Sequence, residues 1–473
     1  SLNSSSGTLS IEKTSQYITL TEGDRYWLEN KVSYIDKPGE WAYVKENDLY
    51  RIYYCPLNIE DLQKTEASGK YNRVVFGNEV KNIIIDGIEV TGSTWNGIEF
   101  INSENVTVKN VLVYNNHWVG LRFQYGQNVT VKNSIFTRNF NGVEFTSSTN
   151  GVCKYNDIGY NSNDGVWVTW DSSSITIQKN YIHDQNLWGH PDGIQTYRNV
   201  SELYILNNLI MNNGQSIICQ ETSNGEISGN TLIGSNAHSI IMGNDNFIFD
   251  NNTILFSGYR IVEFFGNNYT LTNNIFMTGW DMWLYSISEV SGYSGTNNLF
   301  YKSQVHNDKI LTSPDGWAQT LEQFQNSVSQ ELDSLFGNPQ FVNAPVHYAV
   351  LNTSRIHEST ETTWYLRDSI SYFLVNDIIE AGFDGIARTV TAVSEDAITV
   401  SPGLSQRPIR NLLIANWGTN SNLQWDLQLR SGSPAENLAS NGGASGSSIN
   451  VSQYRSGDFN GDGKRDIPQN PFE

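Results

Sequence analysis

The chain has 473 residues, of which 38% are hydrophobic and only 16% are charged, and it carries 39 glycines. This composition is poor in the residues that build helices and favours an all-β chain, long enough to bury a large core. The net charge of −20, with 49 acidic against 29 basic residues, disfavours nucleic acid and anionic membrane surfaces as partners.

The chain begins with a polar stretch, and no apolar run reaches the ~18 residues that span a bilayer. Residues 1–6 resemble a mature or trimmed N-terminus, which is compatible with export. We expect a secreted, periplasmic or cell-surface protein without membrane insertion. The segment before residue 75 contains aromatic clusters and an extended run over 49–54, which we interpret as the approach to a repetitive region.

A Gly or Ser followed by an apolar-x-apolar pattern then recurs at Gly97, Gly120, Gly142, Gly165, Gly193, Ser216 and Ser239. The interval is 22 or 23 residues, except for a single interval of 28. A second series with a similar interval consists of Asp86, Asn110, Asn133, Asn156, Asn180, Asn208, Asn230, Asn252 and Asn274. Such a period predicts a right-handed parallel β-helix, in which each strand pairs with its copy one coil, or ~4.8 Å, away. We expect the Asp and Asn series to stack as a structural ladder without a catalytic role.

Side chains alternate along a strand, so the first and third residues after each ladder Gly or Ser should point into the solenoid and the second and fourth outward. The inward series are mostly apolar and run from Ile98 to Ile240 and from Phe100 to Met242. The coils extend from about 75 to 300, and a short helical stretch follows near 316–336. Residues 1–344 are therefore expected to form the β-helix.

Residues 345–418 break the repeat. Alternating segments over 373–375, 387–390 and 397–400 predict strands of a small inserted β-domain. Residues 419–473 are expected to return to the β-helix and to form the C-terminal tail.

The residue that precedes each ladder Gly or Ser is an aspartate in two adjacent coils, Asp164 and Asp192. Like charges one coil apart raise one of the two pKa values, which suits a general acid beside an ionised partner. Asp171 and Glu221, past the strand ends, offer further carboxylates, and His190 lies in the loop of the longer coil, where it can orient a carboxylate or a hydroxyl. The alternative for Asp164 and Asp192 is turn formation, because Asp favours the bend before a strand.

A sugar site needs aromatic platforms beside hydrogen-bonding side chains. The outward positions and the neighbouring loop supply a candidate substrate-binding set of Arg122, Glu144, Trp167, Trp170, Trp188, Gln195, Tyr197, Gln220 and His238. The alternative for Arg122 and Glu144 is a cross-strand ion pair, and for the aromatic residues it is coverage of the sheet or packing under a loop.

The tail carries oxygen ligands at the spacing of a calcium loop, with Asp458, Asn460, Asp462 and Asp466 at loop positions one, three, five and nine. Position twelve is Gln469 rather than Glu, and the motif has no second copy, so a terminal turn without metal is the alternative. The proposed chemistry requires no cofactor, and structural calcium at this loop is the one metal that the sequence suggests.

The chain resembles the pectin-lyase-like superfamily of parallel β-helix carbohydrate enzymes. The resemblance rests on residues 26–30 and 38–41, the Asn-x-Ile coils, residues 338–343, residues 433–435 and residues 458–461, and it is closest to the glycoside hydrolases of that superfamily. Residues 165–171 are similar to the coil that bears the nucleophile in β-xylosidases of this fold. Where that family has its catalytic Asp and Glu, this chain has Thr169 and Tyr197, so the resemblance implies the location of the cleft but other catalytic carboxylates.

The resulting hypothesis is a glycoside hydrolase that cleaves a plant or algal polysaccharide with Asp192 and one of Asp164, Asp171 or Glu221. An acidic or sulfated polymer stays among the candidates because a local basic groove can form on an acidic protein. One alternative is a polysaccharide lyase that uses Arg122, Arg198 or His190 for β-elimination. The other is a glycan-binding adhesin without catalytic activity.

Overall fold

The computed structural model describes residues 72–185, 191–278, 291–303, 320–367, 370–409 and 412–470. Outside these ranges it describes the backbone of short strands, and three pairs of them form antiparallel hairpins. These strands are Leu2–Asn3 with Thr8–Leu9, Trp41–Glu46 with Leu49–Tyr54, and Leu311–Ser313 with Gly316–Ala318, besides Asp281–Tyr285.

Most of the chain is a parallel β-helix with three ladders of strands, which confirms the predicted solenoid. The first ladder contains Arg73–Asn78, Asn96–Ile101, Val119–Gln124, Asn141–Thr146, Val166–Thr169, Asp192–Tyr197, the first halves of Gln215–Ser228 and Ile240–Asp250, Arg260–Phe264 and Asp281–Tyr285. The second contains Lys81–Asp86, Glu104–Lys109, Thr130–Lys132, Thr149–Lys154, Ser173–Gln178, Val200–Leu206, the second halves of the same two long strands, Tyr269–Thr272 and Ser294–Thr296. The third contains Glu89–Thr91, Leu112–Tyr114, Ile135–Thr137, Asp157–Gly159, Tyr181–His183, Leu209–Asn213, Thr231–Ser235, Thr253–Ser257, Ile275–Thr278, Leu299–Lys302 and Leu335–Phe336.

The predicted register of the first ladder is the observed one. Leu121 pairs with Ile98 and with Val143, and the same series continues to Ile240. Every member of that series is fully buried, and so are the residues from Phe123 to Met242 two places further along each strand. Burial of one such aliphatic or aromatic side chain contributes roughly 1.5–3 kcal/mol, so the repeated interior stabilises the stack that no single coil could support.

The recurring glycine marks a close approach between coils. A Cβ atom on Gly165 would lie 2.6 Å from the carbonyl oxygen of Gly193 and 2.7 Å from Cγ2 of Ile182. The glycine position therefore faces the interior, and the inward Ile or Val comes directly after it. Two consecutive inward positions require a bend, and the residue before the glycine is turned to the outer surface.

The buried asparagine ladder runs from Asn156 to Asn298. The Nδ2 of Asn156 donates to Oδ1 of Asn180 at 3.0 Å, and the same contact is repeated at each later coil. The prediction was wrong for its first three members, because Ser134 and not Asn133 is the buried position one coil before Asn156. Asp86, Asn110 and Asn133 form a separate series one residue earlier, in which Nδ2 of Asn110 donates to Asp86 at 2.7 Å.

A closed antiparallel barrel is inserted after the solenoid. Its strands are His347–Leu351, Thr363–Arg367, Ile378–Ala381, Arg388–Val393, Ala397–Ser401 and Leu413–Asn416, with short 3-10 helices at Thr353–Glu358 and Ile370–Tyr372. The strand expected at 373–375 is a turn instead, because the Asp377 carboxylate accepts the Leu374 N–H at 2.8 Å and leaves Leu374 exposed. The barrel has its own core around Trp364, Ile398 and Ile414.

The remaining elements fix the C-terminal part to the third ladder. Helix Leu321–Val328 starts at a Thr320 capping box, strand Phe341–Asn343 pairs with Asp426–Leu429, and helix Val451–Arg455 precedes the last loop. The tail then runs back along the solenoid. Its contacts extend from Asn297 Nδ2 with the Leu438 carbonyl, at 2.9 Å, to Asn133 Nδ2 with the Asp466 carbonyl, at 3.1 Å.

His183 forms a buried ionic centre where the third ladder meets the barrel. Its Nε2 lies 2.9 Å from Oδ1 of Asp157, and its Nδ1 lies 2.6 Å from Oδ2 of Asp184. The Nδ2 of Asn212 donates both to Asp184 and to the Gly382 carbonyl in the barrel. Burial lowers the pKa of His183, but the charge of Asp157 and the hydrogen bonds to both aspartates outweigh it and raise the pKa to about 9.

We predict that His183→Gln destabilises the protein at pH 6 by about 3–5 kcal/mol, because it leaves the buried Asp157 carboxylate and the partly buried Asp184 carboxylate without their cation. A raised folded-state pKa contributes stability that is fully present below about 6.5 and is lost as the pH rises through about 9. The difference between wild type and variant should therefore shrink from pH 6 to pH 10 in thermal melts. His117→Gln, at an exposed position, is the control and should show no such trend; a constant difference for His183→Gln would contradict the ionic assignment.

Candidate active site

Two columns of side chains lie on the outer side of the first ladder, where many of them are shielded from solvent, and we call this side the acidic face. The first column precedes the ladder Gly or Ser and runs through Arg73, Asn96, Val119, Asn141, Asp164, Asp192, Gln215, His238 and Arg260. The second column lies three residues later and runs through Phe76, Glu99, Arg122, Glu144, Trp167, Gln195, Ile218, Ile241 and Glu263. The columns touch, because Nδ2 of Asn96 donates to Glu99 at 2.9 Å and Arg260 is hydrogen-bonded to Glu263.

Asp164 and Asp192 are neighbours on consecutive coils, as their spacing predicted. The backbone N–H of Asp192 donates to Oδ1 of Asp164 at 3.0 Å, and Nδ2 of Asn163 donates to Oδ2 of Asp164 at 2.9 Å. Asp164 thus takes part in the turn that the alternative interpretation assigned to it. Neither carboxylate oxygen of Asp192 has a hydrogen-bond partner within the described residues, although the residue is fully buried.

The two aspartates are poor anions in this environment. Burial, together with the nearby Glu144 charge, raises the pKa of Asp164 to about 7, despite the hydrogen bond from the Asp192 backbone. Burial and the charge of Asp164 raise the pKa of Asp192 well above its ordinary value. Asp192 receives no hydrogen bond that would stabilise its anion, so it keeps its proton at a pH where Asp164 ionises.

Two glutamates and two arginines lie on the coils before this pair. Arg122 Nε lies 2.9 Å from Glu144 Oε1, and an Arg122 terminal nitrogen lies 3.5 Å from Glu99 Oε1. The Nε–H is not aimed at the Glu144 oxygen, so this contact is an ion pair rather than a hydrogen bond, as the cross-strand alternative predicted. Arg73 is hydrogen-bonded to Glu99, and the Thr146 hydroxyl donates to Glu144 at 2.6 Å.

Buried polar atoms without a hydrogen-bond partner occur at several places in the described residues, among them Ser216 Oγ, Thr231 Oγ1 and Trp425 Nε1. On the coils from Val119 to Asp192 of the acidic face they are Arg122 Nε, Asn141 Nδ2, Glu144 Oε2, Trp167 Nε1, Thr169 Oγ1 and both carboxylate oxygens of Asp192. Leaving a buried polar group without a partner costs about 1–3 kcal/mol, so such groups call for an explanation such as a ligand. Their positions in register, with Trp167 beside Glu144 and Thr169 beside Tyr197, place them on one surface.

The aromatic residues are divided between the acidic face and its far edge. Trp167 is half-buried in the second column, between Glu144 and Gln195. Trp170 is 46% exposed beyond the strand end, where the Arg198 guanidinium lies 3.7 Å from its ring centre and 5.1 Å from that of Tyr197.

The structure does not bring Asp171, Glu221 or Gln220 to the aspartate pair. All three are exposed at the opposite end of the strands, and Asp171 and Glu221 have left-handed backbones with φ of 56° and 51°. Strands rise ~3.3 Å per residue, which places these side chains roughly 20 Å from the pre-glycine column. His238 lies in that column two coils beyond Asp192, with Nε2 2.9 Å from Glu263. Trp188 and His190 lie outside the described residues.

A row of stacked aromatic rings that was not predicted from the sequence lies beside the acidic face. Trp95, Trp118 and Phe140 stand two residues before successive ladder glycines, with ring centres 5.2 and 4.2 Å apart and planes within 8°. Their common spacing in the sequence was a usable signal. Because the rings cover each other's faces, they present their edges along this side of the acidic face.

A cavity of about 390 Å³ lies on the other side of the molecule, between the tail and the third ladder. Among its described lining residues, Glu436 is the one ionisable group, beside apolar residues such as Ile275 and Leu427. It therefore lacks the paired acids of the acidic face.

The C-terminal loop folds around its own carboxylates. Asp458 accepts the backbone N–H groups of Gly461 and Gly463 at 2.8 and 3.0 Å, and Asp466 accepts that of Phe459 at 2.8 Å. In the described part of the chain, no group of three or more His, Cys, Asp or Glu side chains is arranged to hold a metal ion. Calcium at Asp458, Asn460, Asp462 and Asp466 stays a prediction.

Residues 73–224 match the family model described as "Right handed beta helix region". No curated protein matches the chain significantly. Solved structures with a similar course include XylC with xylose, which is 11% identical, with 80% of this chain and 73% of that chain covered and a TM-score of 0.42. A mutant of the periplasmic alginate epimerase AlgG is 12% identical, with 44% and 63% covered and a TM-score of 0.32. The tailspike gp49 from Pseudomonas phage LKA1 is 10% identical, with 73% and 68% covered and a TM-score of 0.31.

The protein is thus an all-β chain built on a right-handed parallel β-helix, with a separate small β-barrel. In the ranges that the structure describes, no helix has the length and apolar character needed to cross a bilayer.

Proposed function

We propose that this β-helix is a carbohydrate-active enzyme, a glycoside hydrolase whose reaction takes place at Asp164 and Asp192 on the acidic face. One observation carries the proposal: two buried carboxyl groups occupy equivalent sites on consecutive coils, and one of them, Asp192, has no partner among the described residues. A paired acid and base of this kind is what hydrolysis of a glycosidic bond requires.

Asp192 is the proposed general acid. Burial and the Asp164 charge raise the pKa of its carboxyl well above the ordinary value, so it holds its proton to a higher pH than an exposed aspartate does. It would donate that proton to the glycosidic oxygen as the bond from this oxygen to the anomeric carbon breaks.

Asp164 is the proposed base or nucleophile. The hydrogen bonds from the Asp192 backbone and Asn163 hold its oxygens in a fixed direction and favour its anion over that of Asp192. Water supplies the hydroxyl that the anomeric carbon gains, and the remaining proton of that water returns to the carboxyl pair. The net change is one water consumed per bond cleaved.

The test is incubation of the purified chain with plant and algal polysaccharides in water labelled with heavy oxygen. Hydrolysis predicts new reducing ends, one labelled oxygen per cleaved bond and no ultraviolet absorbance from an unsaturated sugar. Unlabelled products with that absorbance would instead identify a lyase, for which Arg122 is an unsuitable base because Glu144 and Glu99 already engage it. Binding without any product would identify an adhesin.

A polymeric substrate lies outside the cytoplasm, so the proposal includes export to the periplasm, the cell surface or the medium. Fractionation of cells that express the protein from its natural gene would locate it. Recovery of the protein in the cytoplasm alone would argue against a polymer as substrate.

We also propose structural calcium at the C-terminal loop, held by oxygens of Asp458, Asn460, Asp462 and Asp466. Added calcium should raise the melting temperature of the wild type by a few degrees, by mass action. The Asp462→Ala variant is expected to lose this response, while Asp426→Ala, at a carboxylate outside the loop, should retain it. An equal response of both variants would place any calcium elsewhere.

A further inference from the structure

Near the aspartate pair, the buried atoms of the acidic face that lack a hydrogen-bond partner include both donors and acceptors. Arg122 Nε, Asn141 Nδ2 and Trp167 Nε1 can only donate, Glu144 Oε2 accepts when ionised, and the Thr169 hydroxyl does both. Asp192 offers one donor in its protonated state and accepts through its remaining lone pairs. The ligand that completes this set must therefore both donate and accept within a short distance. Sugar hydroxyls do so, whereas a carboxylate or sulfate group only accepts.

The cations on the first six coils of this face, from Arg73 to Asp192, are already paired with acidic side chains. Among the described residues of its two columns there, Arg73 is hydrogen-bonded to Glu99, and Arg122 lies between Glu144 and Glu99. Glu99, Glu144, Asp164 and Asp192 thus share two arginines. An anionic substituent on the sugar would add a fifth acidic group without a cation to pair with it.

Solvent exclusion increases the penalty for such an anion. Glu99, Glu144, Asp164 and Asp192 are each at most 2% exposed. Burial is the leading cause of the raised pKa values of Glu144, Asp164 and Asp192. A uronate placed beside them would meet the same loss of solvation, and a sulfate could not escape it by protonation because its acid is too strong.

We infer that the sugar units bound at the Asp164–Asp192 pair are uncharged and hydroxylated, so that the substrate is a neutral glycan or a neutral stretch of one. This inference rests on the proposed function. The inference excludes anionic groups only on the sugar units bound at the coils of Asp164 and Asp192. At the far edge, where Arg198 lies over Trp170, the face carries a cation at some distance from the pair.

The experiment compares each charged polysaccharide with its chemically neutralised form, a uronate polymer with its carboxyl-reduced derivative and a sulfated polymer with its desulfated derivative. For a backbone that the enzyme cleaves, kcat/KM should be at least tenfold higher on the neutral form at about 0.15 M salt, where exposed charges are screened beyond ~8 Å but buried ones are not. Equal or faster cleavage of the charged form would overturn the inference and leave hydrolysis standing. Absence of hydrolysis with every polymer would overturn the proposed function, and the inference with it.

A variant tests the cause of this preference. Glu144→Gln removes one acid and releases Arg122 from its ion pair, so the neutral-to-charged ratio of kcat/KM should fall several-fold. Glu104→Gln is the matched control, since Glu104 pairs with Lys81 at 2.7 Å on the second ladder and should leave the ratio unchanged. The ratio is measured within each variant, so a loss of overall activity does not affect it. An unchanged ratio in Glu144→Gln would contradict the charge argument.

Discussion

Replacement of Asp192 by Asn is expected to lower kcat on a cleaved glycan by about 10²–10⁴-fold, the usual contribution of general acid catalysis. The amide has nearly the same shape as the protonated carboxyl, but it has no proton to give to the leaving oxygen. Binding of the same glycan should persist, because the hydrogen-bonding atoms at this position are retained. Calorimetric titration with an uncleaved oligosaccharide measures binding, and reducing-end release measures kcat.

The same variant should be more stable than the wild type at alkaline pH. Burial and the charge of Asp164 raise the folded-state pKa of Asp192, so the folded protein holds a proton that the unfolded chain releases above about pH 4. Wild-type stability contributed by this group is therefore present at low pH and is lost as the pH rises towards the folded-state pKa. Asn does not titrate, so the melting-temperature advantage of the variant should grow from pH 5 to pH 8.

Asp171→Asn is the matched control, because Asp171 is an exposed aspartate at the far end of the strand that follows Asp164. It should change kcat less than threefold and leave the pH dependence of melting unchanged. Replacement of a residue that only stabilises the turn would lower stability without the large loss of kcat expected for a catalytic residue. If Asp192→Asn lost stability at every pH and kept its activity, Asp192 would be a structural residue and the proposed centre would be wrong.

The sequence was sufficient to predict the register of the first ladder, because the pairing of one coil with the next repeats a local pattern. Gly165 and Gly193 carry the same Gly-apolar-x-apolar pattern although the coil between them is the longer one of 28 residues, so the adjacency of Asp164 and Asp192 followed from matching that pattern. The start of the buried asparagine ladder was predicted wrongly because the prediction followed residue type. Ser134 occupies the ladder position one coil before Asn156, and the neighbouring Asn133, which has the expected residue type, lies outside the ladder.

The environment of the site could not be predicted from the repeat. The bend at each glycine turns the preceding residue outward and brings Asn96 beside Glu99. Strict alternation of side chains along the strand would place these two residues on opposite sides of the sheet. Burial of Asp192 and the division of Arg122 between two glutamates depend on how side chains from several coils pack together. Asp171 and Glu221 were plausible acids in the sequence, and the length of the strand separates them from the pair.

His183 illustrates the same limit for the third ladder. Its two aspartates were visible in the sequence, with Asp184 adjacent and Asp157 one coil earlier, but nothing local showed that Asp157 would be buried or that the barrel would contact Asn212 beside Asp184. The Gly382 carbonyl, which is bonded to Asn212, comes from 170 residues further along the chain. Contacts of this range follow from the docking of two units and not from the pattern of either one.

A large stability loss is expected for Asn208→Ala, in the middle of the buried asparagine ladder. The Asn208 side chain accepts from the Asn180 backbone and side chain, both at 3.0 Å, and donates to the Ile177 carbonyl at 2.8 Å and to Asn230 at 3.0 Å. Alanine leaves these groups buried without partners. At about 1–3 kcal/mol for each group, with partial relaxation, the expected destabilisation is about 3–5 kcal/mol.

The effect should extend beyond the mutated coil, because each coil is stabilised mainly by its contacts with the next one. Hydrogen exchange should therefore show lost protection in the coils of Asn180 and Asn230 as well as in that of Asn208. Asn128→Gly is the matched control. Asn128 belongs to an exposed row in which Nδ2 donates to Asn105 at 3.2 Å, and glycine tolerates its left-handed φ of 52°. Denaturant midpoints should place this control within about 1 kcal/mol of the wild type. If both variants lost the same stability, the buried ladder would contribute no more than a surface hydrogen bond, and the coils would be held together by their apolar interior alone.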